Sequence, residues 1–134
     1  MYFNYLFIVK ILVAAILGAL IGLERKTKHF GLGARTAALI TLTSCAFTLT
    51  GMTIFDPTNV ARVVQGLAAG VGFIGAAIIW KQTHDHAVIG ITTAVTVWAL
   101  TAIGIIVALG FYLEVVLLTL IILIILFLKR IGVE

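Results

Sequence analysis

Residues 63–80 read VVQGLAAGVGFIGAAIIW, a run without a single charged side chain. A transmembrane helix needs about 20 mostly apolar residues, and four further runs approach this length. The predicted spans are residues 5–23, 34–54, 63–80, 88–108 and 109–128. The chain is 63% hydrophobic and only 10% charged, whereas soluble domains carry roughly 25% charged residues. The sequence therefore predicts an all-α integral membrane protein, a bundle of about five transmembrane helices in a single domain over residues 1–134.

Within the opening run, GVGFIG at residues 70–75 matches the dinucleotide-binding pattern G-x-G-x-x-G. That pattern binds a cofactor only after a strand, at the start of a helix, and with an acid about 20 residues downstream. Here the preceding VVQGLAA is broken by glycine, and the next acid, Asp85, follows too soon. We therefore predict no dinucleotide and no other organic cofactor.

The glycines instead predict helix packing, because helices in lipid associate where small residues let their backbones approach. On a helical projection, glycine and alanine fill one side of the third span, and bulky side chains fill the other. The first span has a similar small side and is predicted to be its partner. The predicted packing glycines are Gly18, Gly22, Gly66, Gly70, Gly72 and Gly75.

Two segments suggest an internal repeat, since GARTAA (33–38) and GITTAV (90–95) share G-x-x-T-A. The repeat predicts two tandem helical hairpins, with the aliphatic fifth span at the periphery against lipid. Arg35, Thr36, Thr92 and Thr93 would then gather where the second and fourth helices begin. The alternative is that glycine and threonine are simply common at helix starts.

The distribution of positive charge predicts the orientation in the membrane. Most lysines and arginines fall between the first and second spans, between the third and fourth, or after the fifth. By the positive-inside rule these segments face the cytoplasm. We expect an N-terminus outside and a C-terminus inside a bacterial or archaeal plasma membrane. No basic face with interleaved aromatic residues is predicted outside the bilayer, so nucleic-acid binding is not expected.

Four stretches carry a family resemblance. They are KILVAAILGALIGLERK (10–26), GLGARTAAL (31–39), DPTNVARVVQGLAAGVGFIGAAII (56–79) and GITTAVTVWALTAIGI (90–105). With them the chain resembles the MgtC/SapB family of bacterial membrane proteins. The resemblance implies a polytopic inner-membrane protein linked to growth in low magnesium and, in pathogens, to survival inside phagocytes. It implies either regulation of other membrane proteins, including the F-type ATP synthase, or magnesium transport.

Two features depart from the family pattern. Longer members continue into a cytoplasmic C-terminal domain, and we expect this chain to be a short member without it. The family's usual G-A-G after the phenylalanine is Gly75-Ala76-Ala77 here, which narrows the space beside the third helix by a methyl group.

The acids are the first candidates for contact with an ion. Asp56 precedes Pro57, where an Asp-Pro pair is an ordinary helix-start signal, although a cation or a partner is an alternative. Glu24 is predicted to pair with Arg35 across the mouth of the first hairpin, beside Arg25, with a proton or cation role as the alternative. Asp56 and Glu24 are thus weak candidates for a Mg²⁺ ligand.

The other polar candidates receive structural interpretations beside functional ones. Lys10 lies inside the membrane boundary, where a charge is a functional candidate, unless it snorkels or pairs with Asp56 or Glu114. Arg62 adds a second positive charge at the same side. Gln65 is predicted to donate a hydrogen bond to a neighbouring helix rather than to bind a substrate. Residues 84–86, HDH, are predicted to be solvated, with a transition-metal site as the alternative.

The threonines, including Thr92 and Thr93, suggest a polar path, but hydroxyls in membrane helices usually bond to a carbonyl one turn earlier. We find no paired carboxylates, no nucleophile with a base and no phosphate loop, and therefore predict no enzyme. The expected function is regulation of ion homeostasis from within the lipid bilayer, by a homo-oligomer. The alternatives are a transporter or channel, whose ion Asp56, Glu24, Gln65 and Thr93 touch, and an oligomeric scaffold.

Overall fold

The computed structural model describes residues 5–26, 32–54, 57–82 and 90–128. These ranges form five α-helices. They are α1 (Tyr5–Lys26), α2 (Ala34–Ile54), α3 (Pro57–Gln82), α4 (Ile91–Leu109) and α5 (Tyr112–Leu128). The all-α prediction is confirmed.

Four of these helices, α1 to α4, are long and apolar enough to cross a membrane. Together with the composition, they make the chain a multi-pass membrane protein. α5 has 17 residues, or about 25 Å of helix, which is just short of the hydrocarbon core of a bilayer. α2 begins and ends at the predicted residues, whereas α3 extends beyond its predicted span at both ends because polar residues continue the helix past the apolar run.

The two central helices are α2 and α4, and α1 and α3 lie on either side of them. α1 and α3 each contact both central helices, and within the described ranges no contact joins α1 to α3. The prediction that the first and third spans are partners is therefore wrong. α5 contacts α4 and α1 and lies at the edge of the bundle, as predicted for a peripheral helix.

This arrangement agrees with the proposed repeat, because exchanging the α1–α2 pair with the α3–α4 pair leaves the pattern of contacts unchanged. The corresponding glycines also meet corresponding alanines. A Cβ atom built on Gly22 would lie 2.8 Å from the Cβ of Ala37, and one built on Gly75 would lie 3.6 Å from the Cβ of Ala94. Two hairpins related by a pseudo-twofold axis between α2 and α4 account for both observations.

The tightest packing lies where α1 and α4 meet α2. A Cβ atom on Gly22 would lie 2.6 Å from the Cα of Ala34, and one on Gly18 would lie 2.7 Å from the carbonyl oxygen of Ala37. On Gly104 of α4, a Cβ atom would overlap the carbonyl oxygen of Thr41. Backbone meets backbone at these positions, so any side chain larger than hydrogen must push two helices apart.

The glycine-rich side of α3 does not pack in this way, which corrects the prediction for Gly66, Gly70 and Gly72. A Cβ atom on any of these three glycines would meet nothing within 4 Å. The bulky side faces inward instead, with Val71 only 6% exposed. The physical reason is that the small residue at this contact belongs to α2, so that α3 can turn a bulky side chain toward it. A Cβ atom on Gly51 of α2 would lie 3.0 Å from the Val63 side chain.

Candidate functional site

Within the described residues, hydrogen bonds join α1 to α4 near each end of the bundle. The Lys10 ammonium donates to the Ala108 carbonyl at 2.6 Å, and the Arg25 guanidinium donates to the Thr93 hydroxyl at 2.7 Å. Lys10 and Arg25 are as far apart along α1 as Thr93 and Ala108 are along α4, about 22 Å. The two contacts thus fix one antiparallel register, and we call the two ends of the bundle the Lys10 end and the Arg25 end.

At the Lys10 end, the lysine completes the C-terminus of α4. Gly110 has a φ of 88°, a left-handed conformation that glycine adopts without strain. The amides of Gly110 and Phe111 bond to carbonyls of the last turn, as in a Schellman motif. The Ala108 carbonyl accepts from Lys10 instead, and a cation is also favourable at the negative end of the helix dipole.

This contact gives Lys10 a partner that the sequence did not predict, whereas its pairing with Asp56 stays a prediction. Its observed partner is a backbone carbonyl, and Lys10 is partly buried between α1 and α4. Glu114 is exposed on α5, and Asp56 lies outside the described residues. The intramembrane charge therefore has a structural role at this helix end.

Replacement of Lys10 by methionine is expected to loosen the end of α4. A hydrogen bond to a charged donor contributes about 1.5–3 kcal/mol, and the variant leaves the Ala108 carbonyl without its donor. Hydrogen exchange of the Gly110 and Phe111 amides measures the effect, which we expect to be faster in Lys10→Met. Lys10→Arg, which keeps a cationic donor, is the control. Equal protection in Lys10→Met and the unmodified chain would show that the contact contributes nothing.

At the Arg25 end, the buried cation lies beside the starts of two helices. α1 runs antiparallel to both α2 and α4, so the N-termini of α2 and α4 lie at this same end. Arg25 is 5% exposed and Thr93, in the first turn of α4, is 2% exposed. Glu24 is half-buried.

The polar residues that were predicted to gather at this end do lie there, but one is buried in the interior and the others are on the surface. Thr93 points inward to Arg25, whereas Arg35, Thr36 and Thr92 are exposed around it. The Glu24–Arg35 ion pair stays a prediction. The sequence analysis did not predict the contact between Arg25 and Thr93. The sequence does hold one signal for it, because Lys10 and Arg25 are separated by as many residues as Thr93 and Ala108.

The electrostatics of the Arg25 end disfavour a divalent cation. Two helix N-termini contribute positive partial charge, and the guanidinium adds a full one. Among the described residues the acids are Glu24 here and Glu114 at the opposite end, and these residues include no group of three or more histidines, cysteines or acids. Mg²⁺ requires several hard oxygen ligands. Asp56 and the HDH segment at 84–86 lie outside the described residues.

Apart from Thr93, the buried hydroxyls of the described residues donate to backbone carbonyls of their own helices, as predicted. Thr41 donates to the Ala37 carbonyl at 2.8 Å, and Thr48 donates to the Ser44 carbonyl at 2.8 Å. The same bond to a residue four positions earlier is made by Thr43, Ser44, Thr53, Thr96, Thr101 and Thr119. Where these hydroxyls are buried, the bonds compensate their burial, and their presence does not indicate a hydrated path.

The remaining polar candidates lie on the surface of α3. Arg62 and Gln65 are both exposed, and within residues 5–26, 32–54, 57–82 and 90–128 no hydrogen bond joins Gln65 to another helix. The predicted interhelical bond is therefore absent within this part of the chain. The physical reason is that α3 turns its bulky side toward α2 and α4, whereas Gln65 lies on the glycine-rich side, which faces away from both helices.

An open groove between α3 and α4 was not predicted. Its volume is about 540 Å³, and its lining is almost entirely apolar. The lining residues are Gly72, Gly75, Ala76, Ile79, Ala94, Val95 and Trp98. The groove exists because small residues on both helices leave space at a crossing where larger side chains would fill it.

The fold and these contacts can be compared with known proteins. A family model described as the MgtC family matches residues 11–132. This chain belongs to the MgtC family. Protein MgtC of Salmonella typhimurium is 36% identical over 104 residues, which are 78% of this chain and 44% of the relative. Protein SapB of Bacillus subtilis is 31% identical over 118 residues, 80% of this chain and 49% of the relative.

An uncharacterized protein of Haemophilus influenzae is 35% identical over 124 residues, 86% of this chain and 52% of the relative. The chain therefore spans about half the length of these curated MgtC-family relatives. No solved structure matches it.

Proposed function

We propose that this chain regulates other membrane proteins and thereby supports ion homeostasis and growth in low magnesium. In this proposal it lies in a bacterial or archaeal plasma membrane, with the Lys10 end outside and the Arg25 end in the cytoplasm. The positive-inside distribution of lysines and arginines supports that orientation. Membership of the MgtC family supports the link to magnesium.

The main observation behind the proposal is the close packing of the bundle interior. Glycines at the α1–α2 and α2–α4 contacts bring backbones together, and buried hydroxyls other than that of Thr93 are bonded within their own helices. A transporter for a divalent ion needs oxygen ligands along its path. The close-packed interior of the described helices favours action through the outer surface of the bundle instead.

The lipid-facing surface offers the means of such regulation. Large apolar side chains are exposed along α3 and α5, among them Phe73 and Trp80. A partner in the same membrane, such as an F-type ATP synthase, would meet these side chains laterally. Association within lipid depends on shape and on polar contacts rather than on hiding apolar surface, so a partner would recognise the shape of these side chains.

The test is growth of a bacterium that lacks its own MgtC-family protein, in medium low in magnesium. We expect the chain to restore growth, and Glu24→Gln to restore it equally, because a regulator does not require that carboxylate as an ion ligand. The two proteins should be equally abundant in the membrane, and both cultures should grow alike in high magnesium. Failure of the unmodified chain, or loss of growth with properly folded Glu24→Gln, would contradict the proposal.

A further inference from the structure

The exposed side of α3 contains more than a lipid-facing apolar surface. Gln65, Ala69, Gly72 and Ala76 follow one another at steps of four, three and four residues along the helix. We call these four residues the α3 seam. Such spacing is that of the contact positions of a left-handed helix pair. Three members are exposed, and a Cβ atom on Gly72 would meet nothing within 4 Å, so the seam has no partner within the described chain.

Gln65 distinguishes this seam from a stripe of small residues. It lies inside the candidate span Val60–Trp80, and its side chain is exposed. Hydrocarbon offers no hydrogen bond, so an amide facing lipid at this depth is unfavourable unless a partner is present. An amide has both donors and acceptors, and is therefore electrostatically complementary to a second amide.

We propose that a second copy of this chain covers the seam, with α3 packed in parallel against α3 of the partner. Copies inserted in the same orientation are related by a twofold axis along the membrane normal. This symmetry places Gln65 at the same depth in both subunits, where the two amides hydrogen bond reciprocally. A single glutamine at such a contact also fixes the register of the pair, as buried polar residues do in coiled coils.

The shape of the surface fits this occupant. The groove between α3 and α4 adjoins the seam, shares Gly72 and Ala76 with it, and has a volume of about 540 Å³. Small residues on the seam allow two backbones to approach, and the groove leaves room for larger side chains of the partner subunit. Phe73, 80% exposed beside the seam, is a side chain of the size that such a groove accepts.

Charge does not oppose the arrangement. Arg62 lies on the same side of α3 as the seam, but near the start of the span at Val60. Its long side chain can extend to the membrane surface, where water screens the repulsion between the two copies. The inference does not depend on the proposed regulatory function, because a dimer is compatible with a regulator, a transporter or a scaffold.

The test is disulfide cross-linking of the full chain in liposomes. The one native cysteine, Cys45, is buried and is first removed as Cys45→Ala. Single substitutions Ala69→Cys and Ala76→Cys then place a thiol on the seam, and Ile74→Cys places one away from the seam, at a position of the same helix that is 44% exposed and at a similar depth. Because a disulfide needs Cα atoms about 4.4–6.8 Å apart, we expect several-fold more dimer at the seam positions.

The glutamine is tested in the Ala69→Cys background. Gln65→Leu should lower the yield of dimer several-fold, whereas Gln65→Asn, which keeps the amide, should retain most of it. Absence of cross-linking at both seam positions in folded protein would show that lipid or another protein covers the seam. Equal yields at Ala69→Cys and Ile74→Cys would indicate random collision. Either result would overturn the proposed dimer.

Discussion

Replacement of Gly104 by leucine is expected to prevent the bundle from assembling. A Cβ atom at this position overlaps the Thr41 carbonyl and would lie 2.8 Å from the Cβ of Ser44. The overlapped atom belongs to a helix backbone, so no change of side-chain rotamer relieves the clash. Overpacking a core typically costs about 1–3 kcal/mol, and we expect Gly104→Leu to reach or exceed the upper end because α2 and α4 must separate.

Gly70→Leu is the matched control, because it makes the same chemical change in a transmembrane helix where a Cβ atom meets nothing within 4 Å. Both substitutions replace glycine by leucine and gain the same helix propensity, about 1 kcal/mol. The difference between the two variants in the free energy of unfolding therefore reports packing. Unfolding in SDS, followed by circular dichroism, measures that difference. Equal stability of the two variants would show that the α2–α4 contact is not as close as the structure places it.

Replacement of Thr93 by valine is expected to cost about 1.5–3 kcal/mol, the usual contribution of a hydrogen bond to a charged group. Valine keeps the shape of threonine but removes the hydroxyl that accepts a hydrogen bond from the Arg25 guanidinium, and Arg25 is 5% exposed. Water cannot easily replace that acceptor at a buried position. The loss should therefore appear in the free energy of unfolding.

Thr92→Val is the control, since Thr92 is the sequence neighbour of Thr93 in the first turn of α4 but is exposed. Its substitution should change stability by less than about 0.5 kcal/mol. A double-mutant cycle that combines Thr93→Val with Arg25→Met measures the interaction free energy between the two side chains. If Thr92→Val and Thr93→Val are equally stable, the buried hydrogen bond contributes nothing to the bundle.

The helices themselves were predictable because apolar length alone determines a membrane span. The bounds of α2 were reproduced, since Arg35 and Thr36 at one end and Asp56-Pro57 beyond the other mark sharp changes in polarity. The bounds of α3 were less accurate, because helix continues into polar residues at both of its ends.

The inward side of α3 was not predictable from its own sequence. In lipid, both sides of a helix are apolar, so the contrast that reveals the core in a soluble protein is missing. Small residues mark a contact, but Gly66 and Gly70 do not reveal whether that contact lies within the chain. The deciding residue, Gly51, lies on another helix, where it accepts Val63.

The polar contacts of α1 were predictable only in part. Lys10 and Arg25 were recognised as candidates, but an acid was named as a possible partner for Lys10 only, and no partner was predicted for Arg25. The structure gives a carbonyl to Lys10 and a hydroxyl to Arg25. Both acceptors belong to α4, and identifying them requires the knowledge that α1 and α4 are antiparallel neighbours.

We propose that the chain acts through its surface rather than by moving an ion through its interior. The most direct test is magnesium flux into liposomes that contain the purified chain, under an imposed membrane potential, with Glu24→Ala and Asp56→Ala as comparisons. We expect folded, correctly inserted protein to give no magnesium flux above that of protein-free liposomes. Saturable magnesium flux that is lost in either variant would contradict action through the surface and identify that acid as a ligand on a transport path.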